Sequence, residues 1–173
     1  MSDLFFYRIL HLVCGMLWVG MAFFLAVFLF PALQKAGPPG SGAVMRALVE
    51  RKLMVTLPIV AFITIVTGFL LALRIGGGDL AAFARTTPGR VYTMSGGLSV
   101  VAFLIGMTVT RPTGIASGRI AAQLAAMPDG PEKGALAQRL ALLQRRNNMG
   151  GRIILFLVIL TSIGMAVARY ATA

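Results

Sequence analysis

The chain has 173 residues, of which 58% are hydrophobic and only 12% charged, and its formal net charge at pH 7 is +11. A water-soluble domain carries roughly twice that share of charged side chains, so the composition excludes an ordinary soluble fold. Cys14 is the only cysteine, which excludes an intrachain disulfide framework and a cysteine-rich zinc or iron–sulfur site built by one chain.

Four apolar stretches, 4–31, 53–74, 91–110 and 152–169, are each long enough to cross a hydrocarbon core of roughly 30 Å as a helix. The predicted fold is all-α: an integral membrane four-helix bundle, one domain over 1–173, with a cytoplasmic helical hairpin between helices 3 and 4. No basic segment precedes the first stretch, and it far exceeds the roughly 7 to 15 apolar residues of a secretory signal. It is expected to stay in the mature protein.

After the first stretch, Gly37-Pro38-Pro39-Gly40-Ser41-Gly42 predicts a break in any helix, and Ala43 to Lys52 predicts a return to one. Pro58 removes a helical hydrogen bond from the second span, which predicts a kink and a wider bundle at that level. Gly76-Gly77-Gly78-Asp79 and Thr87-Pro88-Gly89 bracket a small apolar segment, read as a surface-lying loop before the third span. The connection 111–151 holds two helical stretches separated by Met127-Pro128-Asp129-Gly130-Pro131. In its second half Leu136, Leu140 and Leu143 recur at helical spacing. That face suits lipid, a partner subunit, or a solvated extension of the fourth span.

The basic residues sit beside the spans, where they face anionic lipid headgroups rather than nucleic acid. Lys35, Arg46, Arg51, Lys52, Arg111, Arg119, Lys133, Arg139, Arg145, Arg146 and Arg152 belong to the first and third connections. Only Arg74, Arg85 and Arg90 belong to the second. By the positive-inside rule the first and third connections are cytoplasmic, and both termini with the 75–90 loop are on the outer, periplasmic side.

His11 is the only histidine, and it lies inside the first span, where a titratable side chain is costly and marks a candidate site. At spacings of three and four, Arg8, His11, Gly15, Trp18 and Ala22 form one stripe with Cys14 beside it. A rise of 1.5 Å per residue puts His11 roughly 10 Å below the outer surface, level with Thr67 on the second span, Met94 on the third and Met165 on the fourth. Three roles fit these residues. His11 is an axial ligand to haem iron, with Met94 or Met165 as the second ligand and Arg8 and Arg90 as partners for the propionates. Alternatively it relays protons or contacts a quinone, or it is bonded to Ser or Thr hydroxyls across helices. Without a second histidine, a bis-histidine haem site requires another subunit.

The segment His11-Leu-Val-Cys-Gly-Met-Leu-Trp18-Val-Gly20, followed by aromatics and Pro31, resembles the first helix of CopD-like and HemJ-like membrane proteins. Arg51-Lys-Leu with Pro58 and Thr67-Gly68, and Arg146-Asn147-Asn148 before a last helix ending Ala168-Arg169-Tyr170, are similar to the same pattern. The resemblance implies a helical protein of the bacterial inner membrane. It implies b-type haem at His11, as in HemJ-type protoporphyrinogen oxidases, or copper handling, as in CopD. At the start of the third helix, where HemJ-like proteins carry a lysine, the nearest basic residue here is Arg90.

Two functions are therefore expected. One is a redox-related membrane protein binding haem b through His11. The other is an accessory subunit of a larger respiratory or photosynthetic complex, packed against other membrane subunits or a second copy of itself, since few polar residues are available for chemistry. A transporter is disfavoured, because all five acids, Asp3, Glu50, Asp79, Asp129 and Glu132, lie at span ends or in loops.

Overall fold

The computed structural model describes residues 2–171, nearly all of them helical. In chain order these are α1 (Ser2–Phe23), a π-helical segment (Phe24–Leu29), α2 (Phe30–Glu50), α3 (Leu53–Ile75), the short α4 (Leu80–Arg85), α5 (Thr87–Ile105), a second π-helical segment (Gly106–Thr110), α6 (Arg111–Ala126) and α7 (Pro131–Val167). A 3-10 turn, Ala168–Tyr170, follows. Four continuous helical stretches are long and apolar enough to cross a membrane: Asp3–Gly37, Leu53–Ile75, Thr87–Ala126 and Pro131–Tyr170.

The first and third of these overrun their predicted bounds for a common reason. Proline lacks the N–H that an α-helix interior requires, yet both Pro31 and Pro112 are kept inside long helices. Each lies just beyond a π-helical segment, 24–29 and 106–110, where the ladder shifts to wider hydrogen bonding and absorbs the defect. The helix therefore continues past 31 to Gly37, and the third span runs on to Ala126.

The predicted break at 37–42 shrinks to one residue. Gly37 alone leaves the helical region, at φ 70°, a conformation open to glycine at little cost. The two prolines after it fall in the first turn of the renewed helix, where no N–H is needed. Gly40, Ser41 and Gly42 are helical.

The four apolar stretches meet in a core of Trp18 and Ala22 from α1, Ala61 from α3, Ala102 from α5 and Val158 from α7. Small residues from three of the helices let the indole fill the centre. A second core, Ile120, Ala121, Leu124 and Leu140, joins α6 to the first half of α7, with Leu136 and Leu143 packed against it. The leucine stripe thus faces α6, and the amphipathic part of α7 is a straight extension of the fourth span. α2 closes over the same region, with Gly42 placed against Ala121.

The molecule has two ends. The terminal end carries the N-terminal turn of α1, the 76–86 loop and the end of α7. The hairpin end carries α2, α6 and the start of α7. At the terminal end Asp79 caps α4 by accepting from the Ala82 N–H at 2.9 Å, and Thr86 caps α5 by accepting from the Gly89 N–H at 3.0 Å. A side chain at Gly89 would collide with the Phe83 carbonyl, so the turn requires glycine.

Candidate functional site

His11 lies where α1 crosses α3. Its Nδ1 is 2.8 Å from the Thr64 carbonyl oxygen, which can only accept, so Nδ1 carries the proton and Nε2 is the bare nitrogen of the neutral ring. Thr67 Oγ1 is 3.4 Å from the same Nδ1 and donates instead to the Ile63 carbonyl at 2.6 Å. The ring is seated against the backbone of α3: a Cβ at Gly68 would stand 2.8 Å from His11 Cε1. His11 is bonded across helices, most closely to a main-chain carbonyl, with the Thr67 hydroxyl at longer range from the same nitrogen.

The other residues picked from the sequence do not converge on it. Met94 is 72% exposed and points away from the helix interior. Met165 is half-buried on α7, and Arg8 and Arg90 are exposed. None of the five lines either of the cavities described below. A haem held between these helices would need an open face beside the imidazole and a second ligand turned inward. The ring lies on Gly68 and Met94 faces outward, so Met94 is not turned toward His11 as a second ligand.

The stripe Cys14, Trp18 and Ala22 does face inward, each residue being buried. Following it away from His11 leads to a cavity of about 110 Å³ in the half nearer the hairpin end. Trp18, Ala22, Leu25 and Phe30 form one wall, Met54, Pro58 and Ala61 a second, Ala102, Gly106 and Met107 a third. Arg111, Gly114, Asn147 and Gly151 form the floor. This is space for a ring or a short run of methylenes; engineered voids of roughly 150 Å³ take up benzene.

The cavity sits where two helices turn π-helical and a third, still α-helical, lacks a backbone donor at Pro58. Both π-helical segments line it, through Leu25 and Leu29 and through Gly106, Met107 and Thr110, and so does Pro58. π-segments inside longer helices recur at functional sites. Pro58 also explains Arg111. In an α-helix the Met54 carbonyl would accept from the N–H of residue 58, which proline lacks; Arg111 Nε donates to that carbonyl instead, at 3.2 Å. The guanidinium is thereby fixed at the cavity floor.

A smaller cavity of about 30 Å³ adjoins the first and shares Phe30, Met45, Gly114 and Asn147 with it. Its remaining lining is more polar and includes Gln34, Ser41, Ser117, Gln144 and Asn148. Ser117 is 8% exposed, and its hydroxyl has no hydrogen-bond partner among the described residues. Asn147 is buried and bonded to Thr113 Oγ1 at 3.3 Å.

Sequence reasoning placed its candidate site at the titratable residue, and only the wider bundle expected at Pro58 points to this cavity. A signal was present: Pro31, Pro58 and Pro112 fall on three different helices near the same level, each deleting a backbone donor. No family model, no curated protein and no solved structure matches the chain.

Proposed function

We propose that this chain is a small multi-pass membrane protein that works as a binding subunit, admitting a ring or chain of a membrane-soluble molecule into the cavity around Trp18. The observation that carries this reading is the convergence of two π-helical segments and Pro58 on one apolar void. Two π-helical segments and a proline that removes a backbone donor, all around a single space, are a costly arrangement for packing alone. The concentration of Lys and Arg at the hairpin end supports placing that end in the cytoplasm of a bacterial cell and the termini outside. The exposed apolar faces of the spans are then in contact with lipid, with other subunits or with a second copy.

The test uses Trp18, the only tryptophan, as its own reporter. A neutral long-chain ester with a brominated chain is titrated into the protein in neutral detergent, and indole fluorescence is followed. Saturable quenching is expected, and Ala61→Leu, which fills the cavity, should abolish it. Weak, non-saturating quenching that is identical in Ala61→Leu overturns the reading.

A second reading keeps His11 as a haem b ligand, with the opposite face of the haem held by a partner subunit. It is supported by Nε2, which has no hydrogen-bond partner among the described residues, while Nδ1–H is pinned to a carbonyl as in many metal-ligating histidines. Haem-replete membranes that yield protein with a Soret band, lost in His11→Ala, would establish it. A colourless product rejects it.

A further inference from the structure

We infer that the floor of the cavity recognises an oxyanion, so that its ligand is an anionic amphiphile: a carboxylate or phosphate head on an apolar chain. The inference rests on the cavity reading above and adds the chemistry of the head.

Three polar groups close the floor and its adjoining pocket, and each has a donor to spare. Arg111 spends Nε on the Met54 carbonyl, which leaves the four N–H groups of its two Nη atoms. Among the described residues Arg111 forms no ion pair; the two pairs present are Arg74 with Asp3 and Lys133 with Asp129. Asn147 uses one site of its amide on Thr113, and whichever way the amide is turned it keeps an N–H to give. Ser117 is buried with its hydroxyl unpartnered against the smaller pocket. Buried polar groups ordinarily find partners, and an orphaned one calls for a missing ligand or water.

The rest of the wall is apolar, so the open N–H groups of the part-buried guanidinium are, of the groups lining the cavity, the strongest donors to an anion. This chain cannot readily supply that anion, having 5 acidic residues against 16 basic ones. Arg111 lies roughly 35 Å along the helix from Thr87, the depth at which hydrocarbon gives way to headgroups. An oxyanion at that level with its chain directed toward Trp18 would answer both parts of the cavity at once. A fatty acid and an acidic phospholipid share this chemistry.

The full-length protein in neutral detergent is titrated at alkaline pH with dibrominated stearate and with its methyl ester, reading Trp18 quenching. The expected result is tighter binding of the acid than of the ester by on the order of tenfold, the worth of one charge-assisted hydrogen bond. Arg111→Gln should erase that difference while leaving the ester titration unchanged. Glutamine retains an N–H for the Met54 carbonyl, and helix content by circular dichroism checks that the variant folds. Equal half-saturation for acid and ester in the wild type overturns the inference, as does a preference that survives Arg111→Gln; in both cases saturable ester binding leaves the cavity reading standing. Saturation by neither compound brings down the cavity reading itself. Phosphatidylglycerol and phosphatidylcholine with brominated chains form the second arm. Arg111-dependent preference for phosphatidylglycerol identifies a phospholipid as the source, and preference confined to stearate identifies a free acid.

Discussion

The two halves of the molecule are built from the same four apolar stretches and treat their polar groups in opposite ways. Toward the terminal end the polar side chains between helices are paired: His11 with the Thr64 carbonyl, Thr67 with the Ile63 carbonyl, and Thr161 with the Ser95 carbonyl at 3.2 Å. Small residues bring the helices together there, with Gly68 under His11 and Gly164 against Ser95. Toward the hairpin end prolines remove backbone donors, a void remains, and donors on Arg111 and Ser117 are unspent among the described residues. His11 stands out in the sequence, but within this chain its bonded nitrogen serves helix packing.

The largest expected effect breaks the tight half. Gly164 faces Ser95, and any Cβ there would overlap the serine hydroxyl. Gly164→Ile should cost about 3 kcal/mol, the upper range for overpacking, and should sharply lower the melting temperature in detergent. Retained wild-type melting would mean that α5 and α7 are not in close contact at this level.

Next comes the seat of His11. Gly68→Ala puts a methyl into the imidazole and should destabilise by about 2 kcal/mol, whereas in a His11→Ala background the same change should cost little. The double-mutant cycle measures this coupling directly. His11→Ala alone should cost about 1 kcal/mol, in the range of interhelical hydrogen bonds within membranes. Additive effects would show that the ring does not rest on Gly68.

Much of the terminal half was legible in the sequence. The helical spacing of His11, Gly15, Trp18 and Ala22 put them on one face, which turns inward, whereas Arg8 on the same stripe is exposed; Thr67 was placed at the level of His11 by counting rises. Met94 was expected at the same depth, yet it faces outward, because azimuth depends on how a helix is rolled against its neighbours and does not follow from counting along it. Gly37 was legible as a break, but Gly40 and Gly42 were not legible as helix, since tertiary packing of Gly42 on Ala121 outweighs the low helix propensity of glycine. The cavity was the least legible part. It arises from defects on three helices that are far apart in sequence, and only their stacking in space makes them one site.

A smaller effect sharpens the comparison from the other side. Pro58→Ala returns an N–H to the Met54 carbonyl, so α3 gains its own hydrogen bond and Arg111 loses its acceptor. The two changes oppose each other, and net stability should move by less than about 1 kcal/mol. Selectivity for an anionic chain over its ester should fall because the guanidinium is no longer held. Unchanged selectivity would show that the Met54 carbonyl does not position Arg111.

The smallest expected effect concerns what holds the hairpin end together. Despite its many cations, α6 and the start of α7 are joined by Ile120, Ala121, Leu124 and Leu140. The ion pair there, Lys133 Nζ with Asp129 Oδ1 at 2.7 Å, lies at the surface with the aspartate side chain 98% exposed. The Lys133 ammonium, by hydrogen bond and by charge, holds the Asp129 carboxyl below its ordinary range. A carboxylate whose folded pKa is lowered adds stability above its unfolded pKa and loses it as pH falls through the folded value; the pair therefore contributes at neutral pH and fades below about pH 4. Exposed pairs contribute little, so Asp129→Asn should leave the melting temperature at pH 7 nearly unchanged, whereas Leu140→Ala should lower it clearly. A larger loss from Asp129→Asn than from Leu140→Ala would mean that charge, and not the leucine core, sets the stability of this end.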